Sequence, residues 1–386
     1  MQFGTDPARA VVVDGVDEPS ARLLLGLDGG RTEDEVLVDA AAARLDVAAM
    51  AGLLAELRRS GLLTDAPDLS WPLDELRQSP GVTRRLAPDL ASLALLAADH
   101  AAADTADGPG PTAISPAADG RDDPSGAPPP GDDPADGDGL TAEDVLRGRR
   151  RAAVVVHGAG RVGATLAALL GAAGVGHVQV VDRGAVSPAD LAPGGIAAAD
   201  TYRSRTTAAA DAVRRAAPEA RTAQLAATRS PDLVVIASTR PVDTDLAAAL
   251  HAARIPHLLA GVRETTAIIG PLVDPGRTSC LRCADLHRAD RDPAWPAMAA
   301  QLAGPRRAGD EACDVALATV AAALAALQAL AHLAGDRSVP TRAGALELTL
   351  SDWRLRRRGW PPHRRCGCGG WEATGARRPP RGEWVP

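Results

Sequence analysis

The chain is 386 residues long, 46% hydrophobic and 24% charged, the balance of a soluble globular protein with room for two or three domains. It contains no Lys and no Asn, so all 42 positive charges are Arg, and mechanisms that need a Schiff-base Lys, a phosphate-gripping Lys or an Asn amide are excluded within it. The net charge of −7 is local, because residues 108–139 hold seven Asp against one Arg and the remainder is close to neutral. Residues 354–386 are basic, with nine Arg against two Glu, but they offer only three scattered Trp for stacking, which argues against nucleic acid as a partner.

The first ten residues, MQFGTDPARA, lack a basic segment followed by an apolar one, so no secretory signal is expected. Residues 9–13 form a β-branched run suited to a strand. A helix opens at Pro19 and ends near Gly29, and Thr32 with Glu35 makes a capping box for the next, which carries Val36 and Val38. A third helix, over about 47–60, places Met50, Leu53, Leu54 and Leu57 on one face and stops at Gly61. Residues 62–64 read as a returning strand, which makes 1–70 a small winged-helix-like module. Residues 71–101 read as a helical connector with Leu86, Leu90, Leu93 and Leu96 at useful spacings. Residues 102–139 are Asp, Pro, Gly, Ala and Ser with a single Ile114; they cannot bury enough apolar surface to offset their ordering entropy, and are expected to be a disordered linker.

Order returns at Leu140, where Thr141 and Asp144 cap a short helix. Apolar runs at 151–156, 178–182, 231–236 and 257–259 alternate with helical patterns, including one over 246–253. This is the signature of an α/β domain with a mostly parallel sheet, here over 140–372, followed by a tail at 373–386. The charge-free run 315–335 could cross a bilayer by length alone, but it is mostly Ala and contains Gln328 and His332. It reads as a helix buried between protein surfaces and suited to a homodimer interface, with no membrane involved.

Two motifs carry chemistry. Gly158, Gly160 and Gly163 sit where a strand turns into a helix, an arrangement that permits a tight turn, close approach of a phosphate and close helix-on-strand packing. Asp182, at the end of the next strand, is placed to accept from a ribose hydroxyl. Cys280-Leu-Arg-Cys283 and Cys366-Gly-Cys368, with 82 residues between them, supply four thiolates for a closed, structural Zn²⁺ site. A redox CxxC pair, unpaired thiols, or His363 or His287 as a replacement ligand are the competing readings. Cys313, among Asp310, Glu311 and Asp314 at the start of the apolar helix, reads as a buried structural Cys. Five Cys in such a chain point to metal or thiol chemistry in a reducing, cytoplasmic setting rather than to disulfides.

The segments GAGRVGATLAALLGAAGVGHVQVVD, PDLVVIAST and GPLVDPGRTSCLRC, followed by the second cysteine pair, resemble the ThiF/MoeB family of ubiquitin-activating-enzyme-like adenylyltransferases over about residues 149–370. The resemblance implies a Rossmann-type fold that binds Mg-ATP and adenylates the C-terminal carboxylate of a small protein or peptide, often as a homodimer. Carried over position by position, most of the catalytic set is replaced. Asp182 is kept, but the second acid of its pair is absent from Asp182-Arg183-Gly184. The loop expected to carry Asn and Arg reads Asp190-Leu191-Ala192-Pro193. The phosphate Lys falls on Arg205, and the Mg²⁺-holding Asp falls on Thr239. The N-terminal segment DEPSARLLLGLDGGRTEDEV resembles the PqqD-type peptide-recognition module that, fused to a ThiF-like domain, serves azoline-forming (YcaO-type) cyclodehydratases. The leading expectation is a leader-peptide-binding protein whose adenylation chemistry is degenerate. The alternatives are an active adenylyltransferase with Arg203 and Arg205 on the phosphates, and an NAD-dependent oxidoreductase using Gly158 to Asp182.

Overall fold

In the computed structural model, residues 1–3, 11–13, 15–27, 31–59, 63, isolated positions between 82 and 96, 141–238, 240, 242–303 and 313–369 are described. The chain divides into two compact units, one of Met1–Ile114 with Gly131–Leu146 and one of Ser115–Pro130 with Arg147–Pro386.

In the first unit, β1 (Gln2–Phe3) pairs antiparallel with β2 (Val11–Val12), and three helices follow: α1 (Glu18–Leu25), α2 (Glu33–Ala42) and α3 (Val47–Arg59). Asp17 caps α1 by accepting from the Ser20 N–H, and Thr32 with Glu35 closes the expected capping box on α2. Leu24, Val36, Ala40, Met50, Leu54 and Leu57 form the core. The 9–13 run therefore holds a strand, but its partner is Gln2–Phe3, a pairing that no apolar pattern announces. Of the expected strand at 62–64 only Leu63 is described, outside any strand; most of the 71–101 connector and the whole 102–139 linker lie outside the described residues. Val82, Leu86 and Leu90 pack with Ala142 and Leu146 of α4 (Ala142–Arg151).

The second unit is built on a seven-stranded sheet in the order β4-β3-β5-β6-β7-β8-β9. Its strands are β3 (Ala153–His157), β4 (His177–Val181), β5 (Leu233–Ala237), β6 (His257–Arg263), β7 (Thr266–Val273), β8 (Gly344–Thr349) and β9 (Arg354–Gly359). The first four in that order run parallel and the last three antiparallel. The parallel part is buried on both faces, which is why its strands read as unbroken apolar runs. Alternation sends neighbouring side chains to opposite cores. Val154 and Val156 face α5 (Arg161–Ala172), α6 (Arg205–Ala216) and α10 (Val315–Leu333). Ala153 and Val155 face Leu250 of α7 (Thr244–Ala252) and the sulfurs of Cys280, Cys283 and Cys368. The apolar helix α10 is thus a core element, burying Leu317, Ala318, Ala321, Ala322, Ala325, Ala326, Ala329 and Leu330 while Val320 and Leu327 reach solvent.

His257, on β6, is 1% exposed and its Nδ1 lies 2.9 Å from the Ile255 carbonyl. Burial disfavours the cation and lowers the ring pKa from 6.5 to about 4. The stability tied to the neutral ring is therefore complete above about pH 6.5 and is lost as pH falls towards 4, a loss of about 3 kcal/mol. Urea denaturation across that window should show a decline in stability that is markedly shallower in His257→Leu. An identical pH slope in the two proteins would contradict the assignment.

Candidate functional site

The glycine motif lies at the turn from β3 into α5. Gly158 has φ +98°, a left-handed conformation, and a Cβ there would stand 2.1 Å from the Ala237 carbonyl oxygen. A Cβ on Gly163 would stand 1.9 Å from the Gly158 carbonyl oxygen. Both glycines are therefore required by packing alone, with or without a ligand. Gly160 differs, because the nearest atom to a Cβ there is Asp190 Oδ1 at 3.9 Å. It is the glycine that leaves the backbone approachable.

Asp182 follows β4 and closes the loop from beneath. Its Oδ2 accepts from the Ala159 N–H at 2.8 Å and its Oδ1 from the Gly184 N–H at 2.7 Å. Both oxygens thus hold backbone on either side of the turn.

Arg205, the first residue of α6, donates from Nε at 3.0 Å and from Nη2 at 2.8 Å to Asp190 Oδ2. Its Nη1 stands 3.9 Å from Asp182 Oδ2, and its backbone N–H donates to the Gly184 carbonyl. Asp190 is 8% exposed and its Oδ2 also accepts from the Ser187 N–H and hydroxyl. The guanidinium expected to face phosphates is neutralised by a buried carboxylate. Arg203 is engaged elsewhere, with Asp200 and, at 2.8 Å, with Asp211. Thr239 lies outside the described residues. Asp190 is the residue that sequence reading passed over: it stood only for a lost Asn-and-Arg loop, and its ion pair joins positions 15 residues apart.

The nucleotide fit can be tested on these contacts. The glycine turn suits an anion at a helix start. At Arg205 the fit is poorer, because its guanidinium already carries a carboxylate. Replacing Asp190 by phosphate at Arg205 would leave a buried carboxylate without its partner, which is costly.

The second centre is on the opposite face of the sheet. The sulfurs of Cys280, Cys283, Cys366 and Cys368 all lie within 4.8 Å of one another. Individual separations are 3.8 Å for Cys280–Cys283, 3.6 Å for Cys280–Cys366 and 3.1 Å for Cys283–Cys368. Tetrahedral Zn²⁺ with 2.3 Å bonds would set its sulfurs about 3.8 Å apart, so the cluster needs little adjustment to hold that ion. Hydrogen bonds from the Cys280 and Cys368 thiols hold the Cys283 thiol well below its usual range, while the same contact raises Cys280 to about 12. Four packed thiols cannot all ionise without a cation among them, and a divalent metal removes that conflict. His363 is a support rather than a ligand: its N–H donates to Cys283 Sγ at 3.3 Å and its Nε2 lies 2.7 Å from Asp290. His287 Nε2 is 2.9 Å from the Pro361 carbonyl. Cys313 stands apart, half-buried against the α10 side of the core, and its carbonyl accepts from Arg161.

The sequence profile of the ThiF family matches residues 139–369. No curated protein sequence matches this chain. Among solved structures, E. coli MccB crystallised with ATP is 17% identical, with a TM-score of 0.50, covering 60% of this chain and 70% of that one. E. coli MccB with AMPCPP and MccA is 17% identical at a TM-score of 0.50, covering 58% of this chain and 68% of that one. PaaA is 16% identical at a TM-score of 0.57, covering 93% of this chain and 95% of that one. At such identities the likeness is one of fold.

The cysteine cluster makes a direct prediction. Metal analysis of purified protein should find about one Zn per chain, lost in Cys283→Ser, and chelation should lower the thermal midpoint by about 10 °C. Metal-free protein of unchanged stability would remove the site.

Proposed function

This chain belongs to the ThiF family, and we propose that it binds a peptide or small protein partner while its adenylation chemistry is degenerate. The observation that carries the reading is the pair of hydrogen bonds from Arg205 to Oδ2 of buried Asp190, which occupies the cation that the family pattern would turn towards phosphates. Three replacements add to it. There is no Lys or Asn in the chain, the second acid after Asp182 is missing, and Thr239 stands where a metal-holding Asp is expected. Without that carboxylate, nothing at this position neutralises the transferred phosphoryl group through a metal.

The chain's own residues then do structural work around an intact turn. Asp182 holds Ala159 and Gly184, Asp190 holds Ser187 and Arg205, and the four cysteines would hold a Zn²⁺ tying residues 366–368 to the start of α8 (Leu281–Arg291). The N-terminal module, residues 1–70, is the peptide-recognition part in this reading, taking a leader peptide as an added strand where main-chain hydrogen bonds give affinity. A YcaO-type enzyme would complete the reaction in the cytoplasm, and the exposed Val320 and Leu327 of α10 would serve a homodimer contact. That MccB has been crystallised with MccA supports the peptide partner.

The second reading, an active adenylyltransferase, draws on the intact Gly158 to Gly163 turn. A nicotinamide-dependent oxidoreductase would use the same turn but would give the cysteine cluster no part. Calorimetric titration separates the first two. With Mg-ATP the protein should give no binding heat up to millimolar nucleotide, and ATP–pyrophosphate exchange should be absent. Micromolar binding, with exchange abolished by Arg205→Ala or Thr239→Ala, would overturn the degenerate reading.

A further inference from the structure

Two of the cluster's four sulfurs arrive on one short segment, residues 361–368, which follows β9. Among the described residues, the polar contacts this segment makes outside itself go to α8 and to Cys280, the residue that precedes the helix. Helical spacing explains why. Cys283, His287 and Asp290 stand at i, i+4 and i+7 and so share one face of α8.

The contacts run in order along that face. His287 Nε2 lies 2.9 Å from the Pro361 carbonyl, the His363 N–H donates to Cys283 Sγ at 3.3 Å, and His363 Nε2 lies 2.7 Å from Asp290 Oδ2. Arg365 meets the same pair twice: its N–H donates to His363 Nδ1 at 3.1 Å, and its guanidinium donates to Asp290 Oδ1. These bonds fix the His363 tautomer. A backbone N–H can only donate, so Nδ1 is the bare nitrogen, and the proton sits on Nε2 and is donated to Asp290. With both ring nitrogens used, the ring has no lone pair for a metal, and His363 acts on the cluster only through its backbone N–H on Cys283 Sγ. His363 is 8% exposed whereas the Asp290 side chain is half-exposed, so the carboxylate stands at the outer edge of a buried contact.

We propose that Asp290 is a positioning residue for the metal: through the His363 ring it holds residues 361–368 against α8 and the His363 N–H on Cys283 Sγ, and it thereby sets how fast a bound Zn²⁺ is lost. Groups that orient a ligand by hydrogen bonding, without touching the metal, change its retention by about tenfold or more. An N–H on a thiolate sulfur also draws charge from it, so losing that bond leaves a more electron-rich sulfur. Cys366 is the one partly exposed cysteine of the four, so release starts on the segment that Asp290 secures. The assignment rests on the zinc reading of the cluster and is independent of whether the chain adenylates.

The test is the transfer of Zn²⁺ from the zinc-loaded full chain to an excess of the coloured chelator pyridylazoresorcinol, with the Co²⁺-loaded chain read in parallel by absorption. Asp290→Ala should lose Zn²⁺ about tenfold faster than the wild type. Asp290→Asn, which keeps an oxygen for the His363 Nε2–H, should restore part of the retention. In the Co²⁺ form, the sulfur-to-metal charge-transfer band should move to lower energy in Asp290→Ala and return towards its wild-type position in Asp290→Asn. Asp352→Ala, which removes an exposed carboxylate paired with Arg356 in the turn between β8 and β9, should match the wild type in both readouts. Because Asp290 is half-exposed, its loss should barely move the thermal midpoint in excess Zn²⁺, which separates faster release from general loosening. Release at the wild-type rate in Asp290→Ala, or faster release with an unmoved Co²⁺ band, overturns this proposal alone. A wild-type chain that takes up no stoichiometric metal overturns the zinc reading and this proposal with it.

Discussion

The ion pair between Arg205 and Asp190 organises the nucleotide side of this domain. One carboxylate oxygen, Asp190 Oδ2, accepts four hydrogen bonds, two from Arg205 and two from Ser187, and so pins the segment after β4 to the start of α6. Asp182, 3.9 Å from the same guanidinium, pins the glycine turn to the other end of that segment through Ala159 and Gly184. The two acids and one Arg form a continuous brace from the first glycine loop to α6. A brace of this kind satisfies its own charges, since a buried carboxylate left unpaired would be strongly destabilising. What holds the loop in shape also keeps the Arg205 guanidinium against the carboxylates of Asp190 and Asp182.

The sheet keeps this brace apart from the cysteine cluster. Alternate residues of β3 and β5 feed two separate cores, so the glycine turn is supported by α5, α6 and α10 on one face. The cysteine sulfurs are packed into the core on the other. The four cysteines bring residues 366–368 against the CxxC knuckle across 82 intervening positions, away from the turn.

Much of this was legible before any coordinates. The parallel strands announce themselves because burial on both faces demands unbroken apolar runs such as Val154-Val155-Val156 and Leu233-Val234-Val235-Ile236. The cysteine knuckles announce themselves by the spacing that metal ligands require, and their four sulfurs do come together. The antiparallel strands are silent for equally physical reasons. β9 is Arg-Leu-Arg-Arg-Arg-Gly, exposed along its whole length at the sheet edge, so no apolar pattern marks it. β7 carries a Gly and a Pro in its interior, residues that argue against a strand when read alone. The alternative that places Arg203 and Arg205 on phosphates rests on an Arg keeping the charge of a Lys. That their partners are Asp200, Asp211 and Asp190 is decided by tertiary packing, and no local pattern encodes it.

The measurement that bears most directly on the central claim is a double-mutant cycle on the brace, with Arg205→Ala, Asp190→Ala and both together, followed by urea denaturation with and without Mg-ATP. If the pair is a structural brace in a nucleotide-free turn, the coupling energy should be roughly 2 kcal/mol and the same with and without nucleotide. Wild-type stability should also be unaffected by Mg-ATP. A coupling near zero, or one that collapses while Mg-ATP stabilises the wild-type protein through Arg205, would show that the Arg is free to serve phosphates and would contradict the account.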